Sequence, residues 1–202
     1  MPVKRKRSYD NQRRTAAADE TRARILAAAR AVIAGEGRRP FSLDSVAREA
    51  GVTRVTVYNQ FESKRGLLEA VFDDMAGESR LMQEIPAALA LPDPRQALLR
   101  YVSIMCRFWG RHRQVMPRFE ALMRLDDEVA AGLRARRERR RVVFDTLVKR
   151  MQGGRADAEL VDLLYGLTGP EMFESLSVNG RGPQAVETLM RAAVEAVLAA
   201  RL

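Results

Sequence analysis

The sequence predicts an all-α protein, and three observations carry that prediction. Apolar residues recur at the three-and-four spacing of a helix along most of the chain. No stretch alternates apolar and polar residues with the period of two that marks a half-buried strand. Glycine and proline punctuate the periodic segments, which gives about nine helices over 202 residues. No internal repeat of 20–50 residues is visible.

The helices follow in order. From Thr21 to about Glu36, Ile25, Ala28, Ala29, Val32 and Ile33 form one stripe, which Gly35, Gly37 and Pro40 stop. Leu43, Val46, Ala47 and Ala50 form the next stripe, with Ser42 placed to cap it. Gly51 ends that helix, since the turn needs a left-handed backbone. Val52 plugs the angle, Thr53 caps a third helix, and Val57 and Phe61 give it a buried edge one turn apart. Arg54, Val55, Thr56, Tyr58 and Asn59 then point elsewhere. Two short helices with such residue types on the second have the layout of a helix-turn-helix, whose second helix enters the DNA major groove. A generic helical hairpin with a polar face is the plainer reading.

Ser63 caps a helix running to about Gln83, with Lys64, Arg65 and Gly66 in its first turn. Cations there oppose the helix dipole, and they make sense if a phosphate docks at that end. Pro86, Pro92 and Pro94 mark a linker over Ile85–Asp93. Helices are then expected from about Arg95 to Arg111, over Met116–Leu125, and from Asp126 to about Met151. Another spans Asp157–Ser177, bent near Pro170, and a last one spans Pro183 to about Arg201.

Composition bounds the function. A hydrophobic content of 47% suffices for a core, and a net charge of +9 makes the chain basic. Residues 1–70 hold 15 Lys and Arg against 8 Asp and Glu, whereas the remainder holds 20 against 18. The excess therefore lies with the helix-turn-helix, where phosphate neutralisation would use it. Lys4, Arg5, Lys6, Arg7, Arg13 and Arg14 form a basic arm, read as flexible by itself and able to reach a minor groove. A merely solubilising tail is the alternative. No apolar window suits a membrane span, and Met1–Arg7 does not lead into a secretory h-region. Cys106 and His112 are the single Cys and the single His, which excludes a zinc finger. The lone cysteine fits a reducing, cytoplasmic setting. There is no nucleophile–base set, metal cluster or phosphate loop, so neither an enzyme nor a cofactor is expected. Asp126-Asp127-Glu128 is the densest acid group, and a helix N-terminus explains it.

Taken as a set, Ile25-Leu26-Ala27-Ala28-Ala29, Phe41 to Ala47, Ala50-Gly51-Val52-Thr53, Thr56-Val57-Tyr58, Phe61, Ser63-Lys64 and Leu67-Leu68 resemble TetR/AcrR-type transcriptional regulators over roughly residues 18–75. The resemblance implies a homodimer with an N-terminal three-helix DNA-binding domain and a C-terminal helical domain for ligand binding and dimerisation. The corresponding divisions are 1–17 for the arm, 18–66 for DNA binding and 67–202 for the helical domain. It implies phosphate contacts at Thr53, Thr56, Tyr58 and Lys64, and base-edge positions at Arg54, Val55 and Asn59. Ser42 completes the DNA-facing set. The chemistry agrees, since arginine can bond a guanine edge twice and valine can touch a thymine methyl. Val55 stands where a small residue is usual in the family, and Gln60 replaces a common aromatic or histidine.

In the C-terminal half, Met105, Trp109, Met116, Phe119, Met123, Phe144 and Tyr165, with Phe108 among them, suit an adaptable apolar cavity for a small ligand. Ordinary core packing is the alternative for each. Glu120 and His112 read as surface residues that could also orient a polar ligand group. Leu160, Val161, Leu163, Leu164 and Leu167, with Val186, Leu189, Met190, Ala193, Val194 and Val197, offer apolar surface for pairing with a second copy. Arg134, Arg136, Arg137, Arg139, Arg140 and Arg141 form a second basic run, read as a solvated face, with an auxiliary DNA contact or an anionic-ligand entrance as alternatives. The partners expected are thus double-stranded DNA, a second copy and a small molecule. The reading is a repressor released from a palindromic operator, with a constitutive or architectural DNA-binding protein as the alternative.

Overall fold

The computed structural model describes the backbone of residues 4–35, 40–125 and 127–202, and the side chains of residues 15–35, 40–122, 130 and 138–202. Among these residues there is no strand. The helices are α1 (Lys4–Ala34), α2 (Leu43–Glu49), α3 (Arg54–Phe61), α4 (Lys64–Glu78), α5 (Leu81–Leu89) and α6 (Pro94–Arg111). They continue with α7 (Met116–Leu125), α8 (Asp127–Gln152), α9 (Ala158–Leu167), α10 (Pro170–Leu176) and α11 (Pro183–Arg201), with a 3-10 turn at Val178–Gly180. None of the described helices is long and apolar enough to cross a membrane.

Three boundaries differ from the sequence reading. Helix α1 begins at Lys4 rather than near Thr21, so the segment read as a flexible arm is helical from that residue on. Nothing between Pro2 and Ala34 breaks a helix, and Ala16-Ala17-Ala18 favours one, so the anchored Ile25 stripe can propagate backwards. The side chains of residues 4–14 lie outside those described. Next, α4 stops at Glu78, because Arg80 turns to a left-handed φ of 52° and starts α5. That helix occupies half of the expected linker. Pro86 costs it one amide donor, and Arg150 then holds the following turn by donating to the carbonyls of Leu89 at 2.7 Å and Leu91 at 2.6 Å. Finally, the segment expected as one bent helix is two, parted where Gly169 caps α10 and Pro170 takes its first position.

The chain divides into two compact units, Met1–Asp74 and Met75–Leu202. In the first, α2 packs on α1 and α3. Ile25, Ala29 and Ile33 of α1 are buried, as are Val46 and Ala47 of α2. Ser42 closes a capping box with Ser45, each serine hydroxyl taking the other residue's amide. At the other end of α2 the amides of Gly51 and Val52 bond the carbonyls of Arg48 and Ala47, at 3.2 and 2.9 Å. Gly51 has φ +64°, with open space where a side chain would start, so conformation rather than room demands glycine. Ser63 begins α4 by accepting the Gly66 amide at 2.9 Å, and Arg30 of α1 pairs with Asp74.

In the second unit α6 is central, packing against α5, α8, α10 and α11. Tyr101 meets Phe144 edge-on at 5.3 Å, and the Trp109 indole N–H donates to the Thr168 carbonyl at 3.1 Å. The Cys106 thiol lies 3.5 Å from the Met190 sulfur. Burial pushes both acids of this helix up to about 12, against the nearby Arg140 for Tyr101 and helped by Glu187 for Cys106.

Both groups are therefore favoured in their neutral forms by the fold. Their contribution is complete below the ordinary values of 9.0 for the thiol and 10.0 for the phenol, and it is lost as pH climbs towards about 12. Denaturation midpoints of the helical unit are expected to fall across that window, and Tyr101→Phe should shallow the fall. Cys106 should resist alkylation at neutral pH until denaturant is added. Rapid alkylation of the native chain would contradict the placement.

Candidate nucleic-acid interface

Helix α3 is eight residues long. Its N-terminus is fixed by Thr53, whose hydroxyl accepts the Thr56 amide at 3.1 Å and lies 2.9 Å from the Thr56 hydroxyl. Val57 is fully buried and Phe61 nearly so, and this edge docks the helix on its unit. The other side is open. Arg54 and Asn59 are exposed, Val55 is 65% exposed and Tyr58 56%. Val55 and Tyr58 are three apart and so neighbours on the outer face. Thr56 is half-buried, as is Lys64 at the start of α4, where Arg65 pairs with Glu69 at 2.8 Å. Ser42 is half-buried, and its hydroxyl serves the α2 cap.

Two residues that the sequence reading passed over act on this helix. Arg22 of α1 donates to the Gln60 carbonyl at 3.1 Å and lies over the Phe61 ring at 4.4 Å. It thereby satisfies a carbonyl at the end of α3 while covering the aromatic anchor. Its signal is positional, since residue 22 falls three before Ile25, on the continuation of the buried stripe. Asp44, in the first turn of α2, stands 3.4 Å from the Arg54 guanidinium. Nothing in the sequence spacing announces that contact. Beyond Phe61, Glu62 adopts φ +64° and ends the helix sharply.

The proposed ligand residues separate into two groups. An open cleft of about 550 Å³ in the second unit is lined by Trp109 and Met116, and also by Phe173, Arg113, Glu120 and Glu171. Met105, Phe119 and Phe144 are instead buried in the unit's core and do not line this cleft. Tyr165 is half-buried beneath the guanidinium groups of Arg140 and Arg141, at 4.5 and 4.7 Å. The Met123 side chain lies outside those described. His112, read as a surface residue, is buried, with Nε2 3.0 Å from the Ser79 hydroxyl.

The basic run does not behave as one solvated face. Arg139 is exposed and Arg141 pairs with Asp162. Arg140 turns inward, donating to the Tyr165 carbonyl at 3.0 Å and the Thr168 hydroxyl at 3.2 Å, while its Nε is buried without a partner. It is four residues from Phe144 and so shares that core residue's side of α8. The side chains of Arg134, Arg136 and Arg137 lie outside those described. In the last helices Leu160, Val161, Leu164, Val186, Met190 and Val194 are buried within the unit, whereas Leu163 and Leu189 remain 41% exposed each.

Residues 25–71 match the family model described as bacterial regulatory proteins, tetR family. The transcriptional regulator SrpR of Pseudomonas putida is 50% identical over 60 residues, 29% of this chain and 28% of that protein. EthR of Mycolicibacterium smegmatis is 30% identical over 99 residues, 46% of this chain and 43% of that protein. The chain's match thus spans less than half the length of either curated relative. A TetR-like regulator from Rhodococcus has the same fold, with a TM-score of 0.67 at 19% identity over 90% of this chain and 97% of that one. Residues 25–71 thus match the DNA-binding region of the tetR family of bacterial regulatory proteins, and the chain as a whole has the fold of TetR-like regulators.

Arg22→Ala is expected to loosen the end of α3 without unfolding the unit. Loss of its carbonyl bond and ring contact should cost about 1–2 kcal/mol. Amide exchange around Val57–Phe61 should rise, while Arg22→Lys should restore part of the protection. Unchanged exchange in Arg22→Ala would remove this residue from the account of how α3 is held.

Proposed function

We propose that the protein represses transcription as a homodimer in the cytoplasm, placing one α3 from each copy in successive major grooves of a palindromic operator. The observation carrying this reading is the two-sided character of α3. Its buried edge is Val57 and Phe61, and its free face offers a guanidinium, a carboxamide, a phenol and an exposed valine. Arg54, Val55 and Asn59 face base edges, while Thr53, Thr56, Tyr58 and Lys64 meet phosphates. Ser42 positions α2 through its cap and completes the proposed DNA-facing set.

Leu163 and Leu189 support pairing through α9 and α11, because two half-exposed leucines on neighbouring helices gain by meeting their own copies. The Trp109–Met116–Phe173 cleft is the site for a small, largely apolar effector. An effector can release the operator only by its difference in affinity between the bound and released conformations.

Binding to a selected operator and to random duplex, with and without candidate effectors, tests the reading. Arg54→Ala is expected to cost about 1–3 kcal/mol on the operator and to relax preference mainly at one base pair. Tyr58→Ala and Lys64→Ala should weaken binding to every sequence, and Lys64→Ala should also flatten the salt dependence. Equal affinity for operator and random duplex would favour an architectural DNA-binding protein, as the net charge of +9 alone would allow. Leu163→Asp with Leu189→Asp should shift the chain to monomer in sedimentation. A dimer that survived both changes would move the interface elsewhere.

A further inference from the structure

We infer that Asp44 is a specificity-determining residue of the DNA-binding surface, holding Arg54 so that it reads a base edge rather than clamping a phosphate. The inference rests on the reading that α3 enters the major groove.

The geometry is simple. Asp44 Oδ2 lies 3.4 Å from Arg54 Nη1, with the two side chains 55% and 67% exposed. An ion pair this exposed adds little to the stability of the fold. Its position makes it matter, because it joins the first turn of α2 to the first residue of α3 on the face that meets DNA. A carboxylate there is repelled by phosphates within a Debye length, on any sequence. Asp44 therefore lowers binding to DNA in general.

Its effect on Arg54 differs between sequences. A guanidinium carries five N–H donors in a fixed planar fork. To grip a phosphate, Arg54 must exchange one anion for another, which gains little. To read guanine, it can keep Asp44 on Nη1 and turn its remaining donors to the O6 and N7 acceptors. The carboxylate thus narrows the directions the fork can take and leaves the guanine contact as the most favourable one open to it. Thr53 strengthens the constraint, because its cap fixes the backbone immediately before Arg54.

The full chain should be tested as wild type, Asp44→Asn, Arg54→Ala and the double variant. Duplexes would be the selected operator, its single-base substitutions and a random sequence, each at several salt concentrations. Asp44→Asn is expected to lose about tenfold in discrimination at the base pair that Arg54→Ala also blinds. Its binding to random duplex should tighten, with a salt slope steeper by about one phosphate. In the Arg54→Ala background the same change should leave base preference untouched. Asp44→Glu, which keeps the charge, should restore most of the discrimination and guards against a defect in α2 alone. The inference is overturned if Asp44→Asn discriminates as wild type does while Arg54→Ala does not, or if it acts identically in both backgrounds. A wild-type chain with no preference for the operator over random duplex would instead remove the groove reading on which the inference stands.

Discussion

An eight-residue helix does not hold its shape in water by itself. Helix α3 exists because Val57 and Phe61 bury one edge of it, and everything asked of its outer face depends on that docking. The surrounding devices serve the same constraint. Thr53 supplies the Thr56 amide in the first turn with an acceptor, Arg22 takes up the Gln60 carbonyl at the far end, and the Gly51 turn sets the direction in which the helix leaves α2. Burial on one side and these bonds at the ends leave four kinds of chemistry displayed on the other: the cation of Arg54, the methyl groups of Val55, the phenol of Tyr58 and the carboxamide of Asn59.

Much of this was legible in the sequence for a physical reason. Short capped helices advertise their ends through residues with few alternatives. Ser42, Gly51, Thr53 and Ser63 all take the roles their types suggest. The spacing of Val57 and Phe61 likewise has one helical interpretation. Contacts between elements were not legible. That Asp44 meets Arg54, or that Arg22 reaches the end of α3, follows from the packing of helices rather than from any local pattern. Proline misled the reading at Pro86, where a nine-residue helix tolerates one missing donor because Arg150 secures the turn beyond it.

The helical unit shows the limit of composition more plainly. Met105, Phe119 and Phe144 have the same character as Trp109 and Met116, yet the first three fill the core and the last two border open space. Side-chain type sets the tendency to be buried, while the gap between α6, α7 and α10 decides which residues border space. Arg140 is the inverse case. A cation in a run of cations reads as solvated, but its phase on α8 carries it between Tyr165 and Trp109. Phase within the helix, rather than local charge density, separates it from Arg139.

The central claim is that α3 lies in the major groove, and chemical methylation of bound DNA reads this directly. Guanine N7 opens onto the major groove and adenine N3 onto the minor. Bound wild-type protein should shield guanine N7 within each half-site, with one of those positions losing its shield in Arg54→Ala. Shielding confined to adenine N3, with guanine N7 as reactive as in free DNA, would contradict the account.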